Sequence, residues 1–193
     1  MMHQGLPDAL RELVERVSGS IRSGQVVDAY LAGGVATYLH VRRAGGSLAA
    51  QARYSEDADI HFGRALIPGD DVVVRYVDHS GEERLLALDR SYSIDIGLRH
   101  PDCFDDAEYL FDSSNGRLRL YMLNPLDLAV TKTGRFQDHD KADIALMARA
   151  GLLDAENFTE RASEALEYLA TDPAMVAINI DEAAELIRES RRP

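Results

Sequence analysis

Asp57 and Asp59 stand two residues apart in the run Asp57-Ala58-Asp59-Ile60-His61-Phe62, and on an extended strand that spacing turns both carboxylates to one face. Two unpaired carboxylates a few ångströms apart repel, and a hard divalent cation relieves the repulsion. Mg²⁺ suits the task, because it prefers carboxylate oxygens and leaves its other positions to water and substrate phosphates. A bare Asp-x-Asp is more often only a solvated acidic face, so the context decides. Asp95, flanked by Ile94 and Ile96, offers a third carboxylate on what reads as another strand. Gly33-Gly34 lies between a short apolar run and a helical pattern, a turn at which backbone N–H groups and a helix N-terminus can receive phosphate. Three aspartates on strand faces and a glycine turn before a helix describe a two-metal phosphoryl-transfer site.

The elements that must hold these groups follow from periodicity. Leu6, Leu10, Leu13, Val14, Val17 and Ile21 recur at helical spacing, with Pro7 in the first turn. Residues 26–32 read as a buried strand ending at the glycines, and 35–43 as a second helix. Residues 57–62 alternate as a strand, with Ala58, Ile60 and Phe62 on one face and Asp57, Asp59 and His61 on the other. Residues 72–77 and 84–88 form a hairpin around Asp78-His79-Ser80-Gly81, and 93–98 and 117–123 are two further strands, the latter the last. The period then becomes helical. Asn124 caps a helix opened by Pro125 and running to about Gly134; 140–150 forms another, stopped by Gly151. Asp154 caps a third to about Leu169, Asp172-Pro173 breaks the chain, and Asp181 caps a last helix ending in arginines. The class expected is α+β: a mixed β-sheet core with flanking helices over 1–123, then a C-terminal helical region over 124–193.

The 193 residues carry 33 acidic and 21 basic side chains, a net charge of −12. Such a balance excludes a protein coated in nucleic acid but admits one local basic site. Residues 151–193 hold ten carboxylates against four arginines, so half of the net charge lies in that tail. Lys132 and Lys141 are the only lysines in an arginine-dominated chain. No apolar run approaches the ~20 residues of a membrane span, and residues 1–10 lack the pattern of a signal peptide. One cysteine, Cys103, reads as an ordinary thiol in a reducing cytoplasm.

The residues resemble a known family. Leu31-Ala32-Gly33-Gly34-Val35-Ala36, then Arg53-Tyr54-Ser55-Glu56-Asp57-Ala58-Asp59-Ile60, Asp95, Asp127-Leu128-Ala129-Val130-Thr131-Lys132, Arg135-Phe136 and Asp140-Lys141-Ala142-Asp143-Ile144 are together similar to the polymerase-β-like nucleotidyltransferases. Within them the likeness is greatest to the AbiEii-type group, which includes toxins of bacterial toxin–antitoxin pairs. It spans about residues 27–150 and implies a Mg²⁺-dependent enzyme that moves a nucleotide from a nucleoside triphosphate to a hydroxyl on RNA, tRNA in particular, or on a protein. Asp57 and Asp59 would hold two Mg²⁺ ions, and Asp95 would complete the metal site beside the attacking hydroxyl. Gly33 and Gly34 would contact the triphosphate, Lys132 would neutralise it, and Arg53 and Ser55 would assist. A cognate antitoxin would be a partner. Many relatives carry Gly-Ser where this chain has Gly33-Gly34, and the interval from Gly34 to Asp57 is longer than in minimal members.

Two other readings stand beside this one. A catalytically degenerate nucleotidyltransferase-fold module would bind a partner or sense nucleotide, and a small-molecule nucleotidyltransferase would modify an antibiotic. His61, the Asp138-His139-Asp140 run and the tyrosines near the proposed site are read as solvated or structural groups. Asp140 and Asp143 either shape the site or serve the helix dipole.

Overall fold

The computed structural model describes residues 3–45, 47–52, 54–66 and 72–191. Two compact units divide the chain. One comprises Met1–Val35, Tyr54–Tyr92 and Glu108–Met122; the other comprises Ala36–Arg53, Ser93–Ala107 and Leu123–Pro193. The fold is α+β, with mixed sheets and helices toward the C-terminus. No helix among the described residues is long and apolar enough to cross a membrane.

The first unit contains two four-stranded sheets. β1 (His3–Gln4), β5 (Val73–Val77), β6 (Glu83–Leu88) and β3 (Asp57–Ala58) form one, in that order; β4 (Ile60–Phe62), β2 (Val27–Leu31), β8 (Leu118–Met122) and β7 (Glu108–Asp112) form the other. β2 and β8 run parallel in the register Val27↔Leu118, Ala29↔Leu120, Leu31↔Met122. All six of these side chains are buried, so alternation places one apolar face inward. The opposite face carries Asp28 bound in a fork by Arg119 at 2.6 and 2.9 Å and Tyr30 stacked on Tyr121 at 5.4 Å. Helix α1 (Leu6–Ser18) lays Leu6, Leu10, Leu13, Val14 and Val17 against β5 and β6, burying the stripe that its sequence spacing sets out.

The second unit is built on the later part of α2 (Gly33–Ala44) and on α3 (Pro125–Thr133), α4 (Asp138–Arg149), α5 (Ala155–Leu166) and α6 (Ala174–Ser190). Asn124 caps α3 by accepting from the Asp127 amide at 2.8 Å, and Asp154 caps α5 by accepting from the amides of Glu156 and Asn157. Phe158, Ala162, Ile144, Met147, Ala183 and Ile187 lie in its apolar interior.

Several expectations change. The single strand over 57–62 is two short ones in different sheets, with Asp59 between them. The strand over 93–98 is a 3₁₀ turn, Ile94–Ile96; Ile94 is 3% exposed and Ile96 82%, so the two isoleucines share no face. Asp181 lies within α6, which begins after Pro173 with Asp172 accepting from the Ala174 amide. β7 was not expected: it is mostly exposed and carries a register shift between Tyr109 and Phe111, so no alternation marks it.

The β5–β6 hairpin is tied by Asp78. Its carboxylate accepts from the Ser80 hydroxyl at 2.6 Å, the amides of Ser80 and Glu82 at 2.8 and 3.0 Å, and Arg84 Nε at 2.9 Å. These bonds, the Ser80 hydroxyl first, hold its carboxyl well below the usual carboxylate range. A depressed folded-state value stabilises above the unfolded value of about 3.9 and is lost as pH falls through the folded one. Asp78→Asn therefore lowers Tm by several degrees at pH 7, and thermal melts followed by circular dichroism show the gap narrowing steadily below about pH 4.

Candidate functional site at the start of helix α2

β2 runs out at Leu31, and two residues later Gly33 turns the chain into α2 at φ +63°. That left-handed conformation costs an L side chain roughly 1–2 kcal/mol, and space forbids one as well. A Cβ on Gly33 would lie 1.6 Å from Asp59 Oδ2 and 2.6 Å from its Cγ. The Asp59 carboxylate thus rests directly on the backbone where α2 begins, the end of a helix that favours negative charge. Asp59 is half-buried and Asp57 exposed.

The backbone explains why Asp59 reaches this place. Ala58 O accepts from the Asp89 amide at 3.1 Å, and Asp59 O accepts from the Ala32 amide at 2.8 Å. Consecutive carbonyls therefore serve the two different sheets, and the chain crosses between them at Asp59. Ser55 Oγ donates to Asp57 O at 3.0 Å, which fixes the segment leading in. Among the described residues the Asp57 side chain has no hydrogen-bond or ion-pair partner. Gly34 is buried in the first turn of α2. Arg53 lies outside the described residues.

Asp95 and Lys132 belong to the second unit. Asp95 is exposed on the 3₁₀ turn, where Arg99 Nε donates to it at 3.2 Å. It stands at a cleft of about 600 Å³ lined by Ile96, Leu98, Pro101, Ala165 and Tyr168. Lys132 is buried, and its Nζ donates to Asp143 at 2.7 Å and stands 3.9 Å from Asp140. Asp140 also accepts from Arg135 at 2.9 and 3.0 Å and from the Gln137 amide at 3.0 Å. Burial pushes the Asp140 carboxyl up, but Arg135, the Gln137 amide and Lys132 outweigh it and hold the group below its ordinary value. Asp140 and Asp143 are thus the partners of the α3 lysine. Asp127 faces Arg161, which donates to it twice at 2.8 Å and also binds Asp106. Arg161 lacks any motif spacing in the sequence, and only its fork geometry identifies it. Burial pushes the Cys103 thiol up to about 11, so it is no nucleophile at neutral pH.

Among the described residues no three His, Cys, Asp or Glu side chains are grouped as a metal set. Asp57 and Asp59 nonetheless suit Mg²⁺ in donor chemistry, since that ion takes one or two carboxylates and completes its shell with water and phosphate.

Two outcomes test the geometry. Gly33→Ala destabilises by more than the ~1–2 kcal/mol of its φ, and in an Asp59→Ala background, which removes the two nearest atoms, urea unfolding shows a smaller penalty. Lys132→Met leaves Asp143 and Asp140 buried without their ammonium and costs about 3–5 kcal/mol, most of it recovered in Lys132→Met/Asp143→Leu. Comparison of the chain with protein-family models finds no match, and comparison with curated proteins and with solved structures finds none either.

Proposed function

We propose that the chain is a Mg²⁺-dependent nucleotidyltransferase that moves a nucleotide from a nucleoside triphosphate onto an acceptor hydroxyl of RNA, tRNA in particular, or of a protein. In this reading it is a cytoplasmic toxin with a cognate antitoxin. One observation carries the reading: the Asp59 carboxylate rests on Gly33 at the start of α2, and two residues before it stands Asp57, whose side chain has no partner among the described residues.

Gly33 leaves room for the carboxylate, and the start of α2 favours negative charge there. A phosphate approaching the same helix end meets Asp59 first, so it is admitted only when a cation offsets that charge. Asp57 and Asp59 would hold the ion. Mg²⁺, when bound, supplies Lewis-acid charge against the negative charge that develops in phosphoryl transfer. Ser55 steadies the Asp57 backbone, and the junction of two sheets keeps Asp59 in place, so the residues contribute by prior positioning. The reaction needs no covalent nucleophile, which agrees with the inert Cys103. The role of Asp95 rests on the resemblance alone.

The degenerate module keeps a place because of one observation. Lys132, the residue assigned to the triphosphate, is already bound to Asp143 inside the second unit.

Purified protein incubated with labelled nucleoside triphosphates, Mg²⁺ and either total RNA or cell lysate is expected to label an acceptor. Asp57→Ala lowers the transfer at least about hundredfold, in line with loss of a charge-stabilising group. Absence of transfer by wild type, or equal transfer by the variant, rejects the enzyme and favours the binding module.

A further inference from the structure

A cleft of about 270 Å³ lies beyond β4, lined by His61, Phe62, Arg64, Leu66, Arg90 and Tyr92. Its wall begins at Ile60, the residue after Asp59, so the strand that leaves the candidate site also forms this cleft. We infer that the cleft docks the acceptor and that the acceptor is a single-stranded RNA end rather than a protein; the inference rests on the nucleotidyltransferase reading above.

Charge is the first argument. In the same unit Arg16 pairs with Glu12, Arg75 with Glu83, Arg84 with Asp78 and Arg119 with Asp28. Arg64 is exposed and makes no hydrogen bond or ion pair with any described residue, and Arg90 is a second guanidinium in the cleft. Among the described lining residues the one carboxylate, Asp89, is turned to its own loop, accepting from the amide and hydroxyl of Ser91 at 2.8 and 2.7 Å. A chain of net charge −12 thus keeps the unpaired Arg64 in a cleft whose wall begins at the residue after Asp59. Guanidinium groups match phosphodiester geometry.

Shape and surface supply the second argument. Phe62, Tyr92 and Leu66 are half-buried and give a base an aromatic and apolar wall, the pairing by which single strands are held. A cleft of this volume lies just below the range of ligand sites, about 300–1,000 Å³, so it offers room for no more than one terminal nucleotide.

The test is fluorescence anisotropy of a labelled hexameric single-stranded RNA with the full chain at several salt concentrations. Arg64→Ala weakens binding about fivefold or more and makes the log K against log salt slope shallower by about 0.7, one phosphate contact. Tyr92→Leu weakens binding while Tyr92→Phe retains it, and Arg75→Ala, whose partner is Glu83, changes nothing. Circular dichroism melts check that each variant folds. Nucleoside monophosphate and inorganic phosphate serve as competitors. Equal affinity for the monophosphate and the RNA overturns the acceptor assignment and leaves a free-nucleotide site. No RNA binding by wild type, or unchanged binding by Arg64→Ala and Arg90→Ala, overturns the cleft. If transfer proceeds onto protein, depends on Asp57 and ignores Arg64, this inference fails and the enzyme stands. Arg64-dependent RNA binding with no transfer to any acceptor overturns the enzyme and leaves an RNA-binding cleft.

Discussion

The contact of Asp59 with Gly33 is the constraint on which the first unit turns. The chain leaves one sheet at Ala58 and joins the other at Ile60, and the single residue between must direct its backbone to one sheet and its side chain elsewhere. That side chain lies on the backbone at the start of α2. Residue 33 consequently answers to two demands at once: a left-handed φ and no atom beyond Cα. Sheet exchange, helix start and carboxylate placement are one geometric solution, which is why disturbing any of them disturbs the others.

Electrostatics separates structural from available charge. Asp28, Asp78, Asp127, Asp140 and Asp143 are each met by a guanidinium or ammonium group, and the buried members of the set would be costly without those partners. Asp57 has no such partner among the described residues, and Arg64 has none either. Among the described residues an anion without a partner thus lies in β3 and a cation without one follows β4, the next strand along the chain. A net charge of −12 therefore describes the molecule poorly at this place, where local pairing decides what a ligand meets.

Much of the helical part was legible in the sequence because its signals are local. The Asn124 cap, the Pro125 start and the Asp154 cap depend on residues within one turn. The parallel pairing of β2 with β8 was legible only as two apolar runs, since register over ninety residues is not a local property. The break at Asp59 was hidden because burial alternates through it while hydrogen bonding does not: Ala58 and Ile60 are both buried yet lie in different sheets. The isoleucines beside Asp95 misled for a related reason, as a short alternating run also suits a turn with one side chain inside and one out. Of the site, the aspartate pair and the glycine were visible from composition and spacing. The engagement of Lys132 by Asp143 was not, because it pairs side chains on two helices.

In the proposed reading Asp57 and Asp59 admit a phosphate only together with a cation. Isothermal titration of the protein with a non-hydrolysable nucleoside triphosphate, with and without Mg²⁺, measures it directly. The expected result is binding heat that requires Mg²⁺ and disappears in Asp57→Asn. Binding that is unchanged by chelation of the metal, or absent under both conditions, would contradict it.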